Sequence, residues 1–287
     1  MGDSLSHPTL GIVAPGGGLR GAFVAGALEA LVDHFGVTHP KMVFGCSGSA
    51  APFAYYVSGQ YQVGYEVYKH LSQSKLVNLS RVLEGHSVSL SKLFDFNILR
   101  EAFESKYPLD VNAVQSSPTQ LVVGLTQYGS GKSVYLSDWN KYPLVDALLA
   151  SKAMPIVHSG KVTVGDEIFT DGELACPLEQ NIEWMLTQGV DKVLVLDCGS
   201  KLTYLRRLLV GLHSYRSQIP PSLGLTLREY ISRKNDFVDD PNVLYIDPIR
   251  HLEAGTFSRS WKDIEATYHT GEDSVLLHRG IKEFLEE

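Results

Sequence analysis

Gly16-Gly17-Gly18-Leu19-Arg20-Gly21 follows the apolar run Thr9-Leu10-Gly11-Ile12-Val13-Ala14 and opens residues 20–35, where Ala, Leu and Val recur at helical spacing. The stretch reads as strand, glycine turn, helix. The pattern repeats at once: residues 41–46 form a second strand ending in Gly45-Cys46-Ser47, and residues 48–58 form a helix entered directly from Ser47. Two consecutive units of this kind imply parallel strands joined by right-handed crossovers.

Working outward, residues 60–107 are mostly helical in pattern and more polar, as expected of an insertion over one edge of a sheet. Residues 121–127 and 133–137 pair as a hairpin across Tyr128-Gly129-Ser130-Gly131-Lys132. A helix at 144–151 precedes a strand pair at 162–169, the Asp171-Gly172 turn and a helix at 178–188. Val193-Leu194-Val195-Leu196 marks a buried strand within 192–198. A last strand at 243–246 and a closing helix at 261–287 complete the pattern. The expected fold is a three-layer α/β/α sandwich with a mainly parallel central sheet. No linker, repeat or low-complexity run divides the chain, so one domain over 1–287 is expected, with its motifs in a core of about 9–198 and C-terminal helices and a last strand in 199–287.

With 44% hydrophobic and 20% charged residues in a chain of 287, the sequence can bury a large core. Its formal charge of -7 argues against nucleic acid as a partner, which would require a basic surplus. Cys46, Cys176 and Cys198 are odd in number and irregular in spacing, so neither a disulfide framework nor a zinc site is expected. No metal or other cofactor is implied. The N-terminus lacks the basic and apolar regions of a signal peptide, and no run approaches the length of a membrane span, so a cytoplasmic location is expected. Met1-Gly2 with Ser6 meets the loose N-myristoylation pattern, which is too permissive to carry an argument.

In an open parallel sheet the site lies beyond the carboxyl ends of the strands, and both glycine-bearing turns fall there. Ser47 sits between a strand and small residues, with Gly45 and Gly48 leaving room for a sharp turn that projects its hydroxyl. The same serine would also serve as an ordinary helix N-cap. Gly16, Gly18 and Gly21 satisfy the dinucleotide glycine spacing, but no acidic residue ends the second strand, which argues against that reading. Gly129-Ser130-Gly131-Lys132-Ser133 imitates a phosphate loop, yet Thr126 replaces the required first glycine and a strand follows. Asp171 stands at a strand end before Gly172, where an aspartate commonly caps a turn but could also serve as a base. A Ser-His-Asp arrangement in the chain order serine, acid, histidine would draw on His213, His251, His269 or His278, since His158 precedes Asp171.

These three fragments together resemble the patatin-like phospholipase family over roughly residues 9–198. Gly16-Gly17-Gly18-Leu19-Arg20-Gly21 matches its oxyanion segment, Gly45-Cys46-Ser47-Gly48 matches its serine elbow, and Ala150-Ser151-Lys152-Ala153-Met154-Pro155 resembles the small-residue segment ahead of the acid. The resemblance implies a lipid acyl hydrolase with Ser47 as nucleophile and Asp171 as base. It places an oxyanion hole at Gly16, Gly17, Gly18, Leu19 and Arg20, chiefly the N–H groups around Gly17 to Leu19. Two departures stand out: Ser49 replaces the last elbow glycine, and Glu173 follows Asp171-Gly172. Glu173 would tend to raise the pKa of Asp171 unless its carboxylate points away. A catalytically silent lipid- or partner-binding module is the alternative that these departures leave open. A lipid or ester substrate is the implied partner. Peripheral membrane contact is expected over residues 201–234, where Lys201, Arg206, Arg207, Arg216, Arg228, Arg233 and Lys234 accompany a run of leucines. The competing reading of that stretch is a helix that packs its leucines on the sheet and leaves its arginines solvated.

Overall fold

The computed structural model describes residues 8–77, 94–155, 160–199, 219–233 and 237–286. Its strands are β1 (Leu10–Ala14), β2 (Met42–Gly45), β3 (Gln120–Gln127), β4 (Ser133–Leu136), β5 (Val162–Val164), β6 (Glu167–Asp171), β7 (Lys192–Leu196) and β8 (Val243–Ile246). Its helices are α1 (Gly21–Phe35), α2 (Ala50–Val57), α3 (Val63–Gln73), α4 (Phe96–Glu101), α5 (Val111–Ser116), α6 (Leu144–Ala150), α7 (Leu178–Thr187), α8 (Pro221–Ser232), α9 (Trp261–Leu276) and α10 (Ile281–Glu286). The strands join one sheet in the order β5-β6-β3-β2-β1-β7-β8, with β4 paired to β3. β3, β2, β1, β7 and β8 run parallel, β4 and β6 pair antiparallel to β3, and β5 pairs antiparallel to β6.

Alternation along the central strands builds two cores. Ile12, Val43, Leu121, Val123 and Leu194 face α1, α2, α6 and α9. Val13, Met42, Phe44, Val122, Val193 and Val195 face Ile182 and Met185 of α7. Burial of both faces is why these strands read as continuous apolar runs. α1 and α9 touch backbone to backbone: a methyl group at Gly26 would lie 2.1 Å from the Tyr268 carbonyl oxygen, and one at Gly271 would lie 2.0 Å from that of Phe23.

The pairing of β3 positions the site. Val123 is in register with Gly45 of β2 and Leu136 of β4, whereas Leu125 and Thr126 are in register with Asp171 and Thr170 of β6 and with Val134 and Ser133 of β4. Since β4 occupies one edge throughout, β2 and β6 share the other. β2 runs parallel to β3 and β6 antiparallel, so their carboxyl ends approach head to head, carrying Ser47 and Asp171 together.

Two expectations change in detail. Within 60–107, α3 packs on α1 and α9 and joins that helical layer, because its apolar residues Val67, Tyr68 and Leu71 fall on one buried face. The closing helix is two: α9 ends at Leu276 and α10 starts at Ile281, with Gly280, a poor helix former, in the break.

Replacing Gly271 with Ala should destabilise the protein by about 1–3 kcal/mol through overpacking. Urea unfolding should show a lower midpoint with an unchanged slope.

Candidate active site

Ser47 has φ 49°, and among the described residues it is the one non-glycine with positive φ. A side chain seldom adopts this backbone, and it persists only where the surroundings over-determine it. Here they do so. The Ser47 N–H donates to Ser151 Oγ at 2.8 Å, and that hydroxyl donates to the Gly124 carbonyl at 2.8 Å. The Ser47 carbonyl accepts from Lys152 Nζ at 2.7 Å. Ser49, the departure from the elbow pattern, is fully buried. Its hydroxyl accepts the Cys46 N–H at 3.1 Å and lies 3.0 Å from the Ala14 carbonyl oxygen and 2.9 Å from that of Cys46. The serine thus fastens the elbow to the end of β1.

Asp171 is the last residue of β6 and 2% exposed. Its Oδ2 accepts the Ser47 hydroxyl at 3.1 Å and its Oδ1 accepts the Glu173 N–H at 2.9 Å. The main chain is equally fixed: its carbonyl accepts from Thr126 Oγ1 at 2.8 Å, and its N–H donates to the Ala153 carbonyl at 3.4 Å. Gly172 donates to the Ser151 carbonyl at 3.3 Å. Residues 151–153 therefore grip both ends of the Ser47–Asp171 pair.

The Glu173 carboxylate turns to the glycine loop, accepting the Gly16 N–H at 2.6 Å and the Cys46 thiol at 3.3 Å. Burial first, and this carboxylate second, push the Cys46 thiol well above its ordinary pKa. All three cysteines are free and buried. The loop offers fewer donors than the sequence implies. Gly16 is held by Glu173, the Leu19 N–H donates to the Thr256 carbonyl at 3.2 Å, and the Arg20 N–H closes the one-turn helix onto the Gly17 carbonyl at 3.3 Å. The N–H groups of Gly17 and Gly18 remain without a bond to another described residue, as does that of Gly48. The Arg20 guanidinium donates to the Gly199 carbonyl and braces the loop from behind.

Gly48 is what lets the loop and the elbow meet. A methyl group there would lie 2.5 Å from Gly18 O and 2.6 Å from Gly18 N. Gly18 itself has φ 62°, a conformation that glycine adopts without strain.

Ser47 and Asp171 open onto a cavity of about 1200 Å³. Its lining includes the apolar side chains of Tyr55, Val67, Leu71, Leu76, Leu99, Phe103 and Met154 together with the polar Asp197, Arg250, His251 and Glu253. The volume exceeds the roughly 300–1,000 Å³ of an ordinary small-molecule pocket. A one-turn π-helix, Ala102–Lys106, carries Phe103 into it. Of the histidines considered for a triad, His251 lines the cavity, His269 pairs with Glu272 on α9, His278 lies in the turn between α9 and α10, and His213 lies outside the described residues. Among the described residues, none forms a hydrogen bond to the Ser47 hydroxyl other than Asp171. No group of three or more His, Cys, Asp or Glu side chains among them is arranged to hold a metal ion. Ser151 and Lys152 are site residues without an assigned role in the sequence analysis. Their signal was two polar residues set between the buried alanines Ala150 and Ala153.

Residues 12–182, more than half of the chain, match the sequence model described as Patatin-like phospholipase, and the chain belongs to that family. Its class is thereby that of the lipid acyl hydrolases. No curated protein matches it by sequence search. Among solved structures, VipD from Legionella pneumophila superposes with a TM-score of 0.50 at 13% identity, over 95% of this chain and 67% of that one. Human GIVD cytosolic phospholipase A2, in complex with methyl gamma-linolenyl fluorophosphonate, superposes with a TM-score of 0.54 at 14% identity, over 97% of this chain and 58% of that one. At these identities the likeness is one of fold: a mixed sheet flanked by helices.

Gly48→Ala should displace the Gly17–Gly18 amides and lower kcat for ester hydrolysis by about 10²-fold, the size of effect that removal of one oxyanion-hole donor has in other serine hydrolases. Ser49→Ala, which leaves the buried Cys46 N–H unpaired, should instead reduce stability by about 1–3 kcal/mol. Steady-state kinetics and urea unfolding separate the two effects.

Proposed function

We propose that the protein is a serine hydrolase of fatty-acyl esters in phospholipids or related lipids, working through a Ser47–Asp171 dyad and an acyl-enzyme. The observation that carries this reading is the direct 3.1 Å hydrogen bond from Ser47 Oγ to Asp171 Oδ2. It gives the hydroxyl a carboxylate to take its proton, on the wall of a cavity whose many apolar lining side chains suit an acyl chain.

In this scheme Asp171 accepts the hydroxyl proton as Ser47 Oγ bonds to the ester carbonyl carbon. The carbonyl oxygen becomes an oxyanion facing the Gly17 and Gly18 amides, with the Gly48 amide beside them. Collapse breaks the bond to the alcohol, which leaves with the proton from Asp171, and the acyl group stays on Ser47. Asp171 then deprotonates a water that attacks the acyl carbon, releasing the fatty acid and restoring the serine.

Contact with a lipid surface belongs to the same reading. No helix among the described residues is long and apolar enough to cross a membrane. Phe257, 38% exposed, lines the cavity, and Leu225 on α8 is 59% exposed. Arg233, counted in the sequence as a surface cation, turns inward and donates to the carbonyls of Glu173 and Leu174 at 3.2 and 2.8 Å. Residues 201–218 and 234 of that stretch, Lys234 among them, lie outside the described residues.

The fluorophosphonate held by the human phospholipase A2 supplies the test. Intact-mass and peptide mass spectrometry should find one adduct, on Ser47, and none in Ser47→Ala. Asp171→Asn should lower hydrolysis of a p-nitrophenyl ester by ~10³-fold or more, while His251→Ala keeps most of the rate. Loss of activity in His251→Ala would favour a Ser-His-Asp esterase, and absence of any adduct would favour a silent binding module.

A further inference from the structure

Lys152 is a cation that the dyad chemistry above does not use. It lies two residues past the end of α6 and is partly buried. Its Nζ donates to the Ser47 carbonyl at 2.7 Å and lies 6.0 Å from the centroid of the Phe103 ring. It lines the same cavity as Ser47 and Asp171. An ammonium placed there would be wasted as a surface charge and costly as a structural filler, since burial penalises the charged form.

We propose that Lys152 is a positioning residue for the acyl-transfer site: its ammonium pins the strained Ser47 peptide and supplies the positive charge that the Ser47–Asp171 pair works against. This rests on the dyad reading. Two physical arguments support it. Ser47 can keep its φ of 49° only if both sides of the residue are held, and Ser151 takes its N–H while Lys152 takes its carbonyl through a charge-assisted bond. During the reaction negative charge passes from Asp171 to the substrate oxygen, and a cation facing this region stabilises both distributions in a medium poor in water.

The titratable groups facing Lys152 are Asp171 from the end of β6 and the Cys46 thiol from the turn after β2. Glu173 directs its carboxylate to Gly16 and Cys46. Tyr55 and Tyr68 line the cavity with phenols that burial pushes far above the working range. Burial pulls Lys152 down to about 8, against the opposing pull of Asp171 and Cys46. The attraction is mutual, so the protonated lysine favours ionised Asp171. The cation is essentially complete a unit or more below that value and is lost as pH rises through it.

The test is the pH dependence of kcat/KM and of fluorophosphonate labelling of Ser47, from pH 5 to 10, in the wild type, Lys152→Arg and Lys152→Met. The wild type should lose activity on an alkaline limb near pH 8. Lys152→Arg, which stays charged, should remove that limb and leave the acidic limb in place. Lys152→Met should lower kcat about ten- to a hundredfold, the range of one charge-assisted hydrogen bond. It should also shift the acidic limb upward and show no alkaline limb, with KM little changed. A folded Lys152→Met with wild-type kcat, or with a uniform loss and both limbs in place, overturns the proposal. If that variant does not fold, the wild-type and Lys152→Arg profiles decide: an alkaline limb near pH 8 that Arg removes supports it, and none up to pH 9.5 overturns it. Failure to label wild-type Ser47 would sink the dyad reading and this proposal with it; labelling with an unchanged Lys152→Met profile would sink the proposal alone.

Discussion

The site depends on backbone meeting backbone where Gly48 faces Gly17 and Gly18. Any side chain at Gly48 would fall within 2.6 Å of main-chain atoms of the facing turn, so the two turns can be adjacent only while that position is bare. Adjacency in turn gives a hydroxyl on one side and unbonded amides on the other. Everything else in the neighbourhood serves to hold that contact: Ser49 ties the elbow to β1, Glu173 ties the loop to the acid turn, and Ser151 and Lys152 hold the serine from both ends. A strained residue held at both its N–H and its carbonyl, in a turn fastened to its neighbours, has little freedom to relax, which is the condition for a prearranged electrostatic site.

Much of this was legible locally. The strand at 243–246 and the helix starting at Leu178 were read at their observed limits, because an apolar run or a helical period is written within one short window. The strand-turn-helix units at Gly16 and Ser47 were legible for the same reason, and so was the hairpin across Gly131. Those glycine turns marked where chemistry could gather.

What the chain did not disclose is long-range. That β6 enters antiparallel along the same β3 edge as β2 follows from pairings at Val123, Leu125 and Thr126, and no local pattern in β6 encodes its direction or its neighbour. The Glu173 side chain likewise reaches Gly16, 157 positions away, so its role as a tether was hidden behind its proximity in sequence to Asp171. The family resemblance pointed to the amides of the glycine segment, chiefly those around Gly17 to Leu19. Folding made them unequal, since Thr256 and Glu173 take two of the amides and the one-turn helix takes a third.

Thr256 and Arg233 carry a consequence for how this protein can be cut. All three motif fragments precede residue 199, yet the Leu19 amide is held by a carbonyl beyond residue 250. The acid turn rests on a guanidinium at position 233, and α1 rests on α9. A fragment ending after β7 would hold every signature residue and still present bare amides, loose carbonyls and an uncovered helix face. The portion that a sequence signature recognises is therefore smaller than the portion that can stand up unaided.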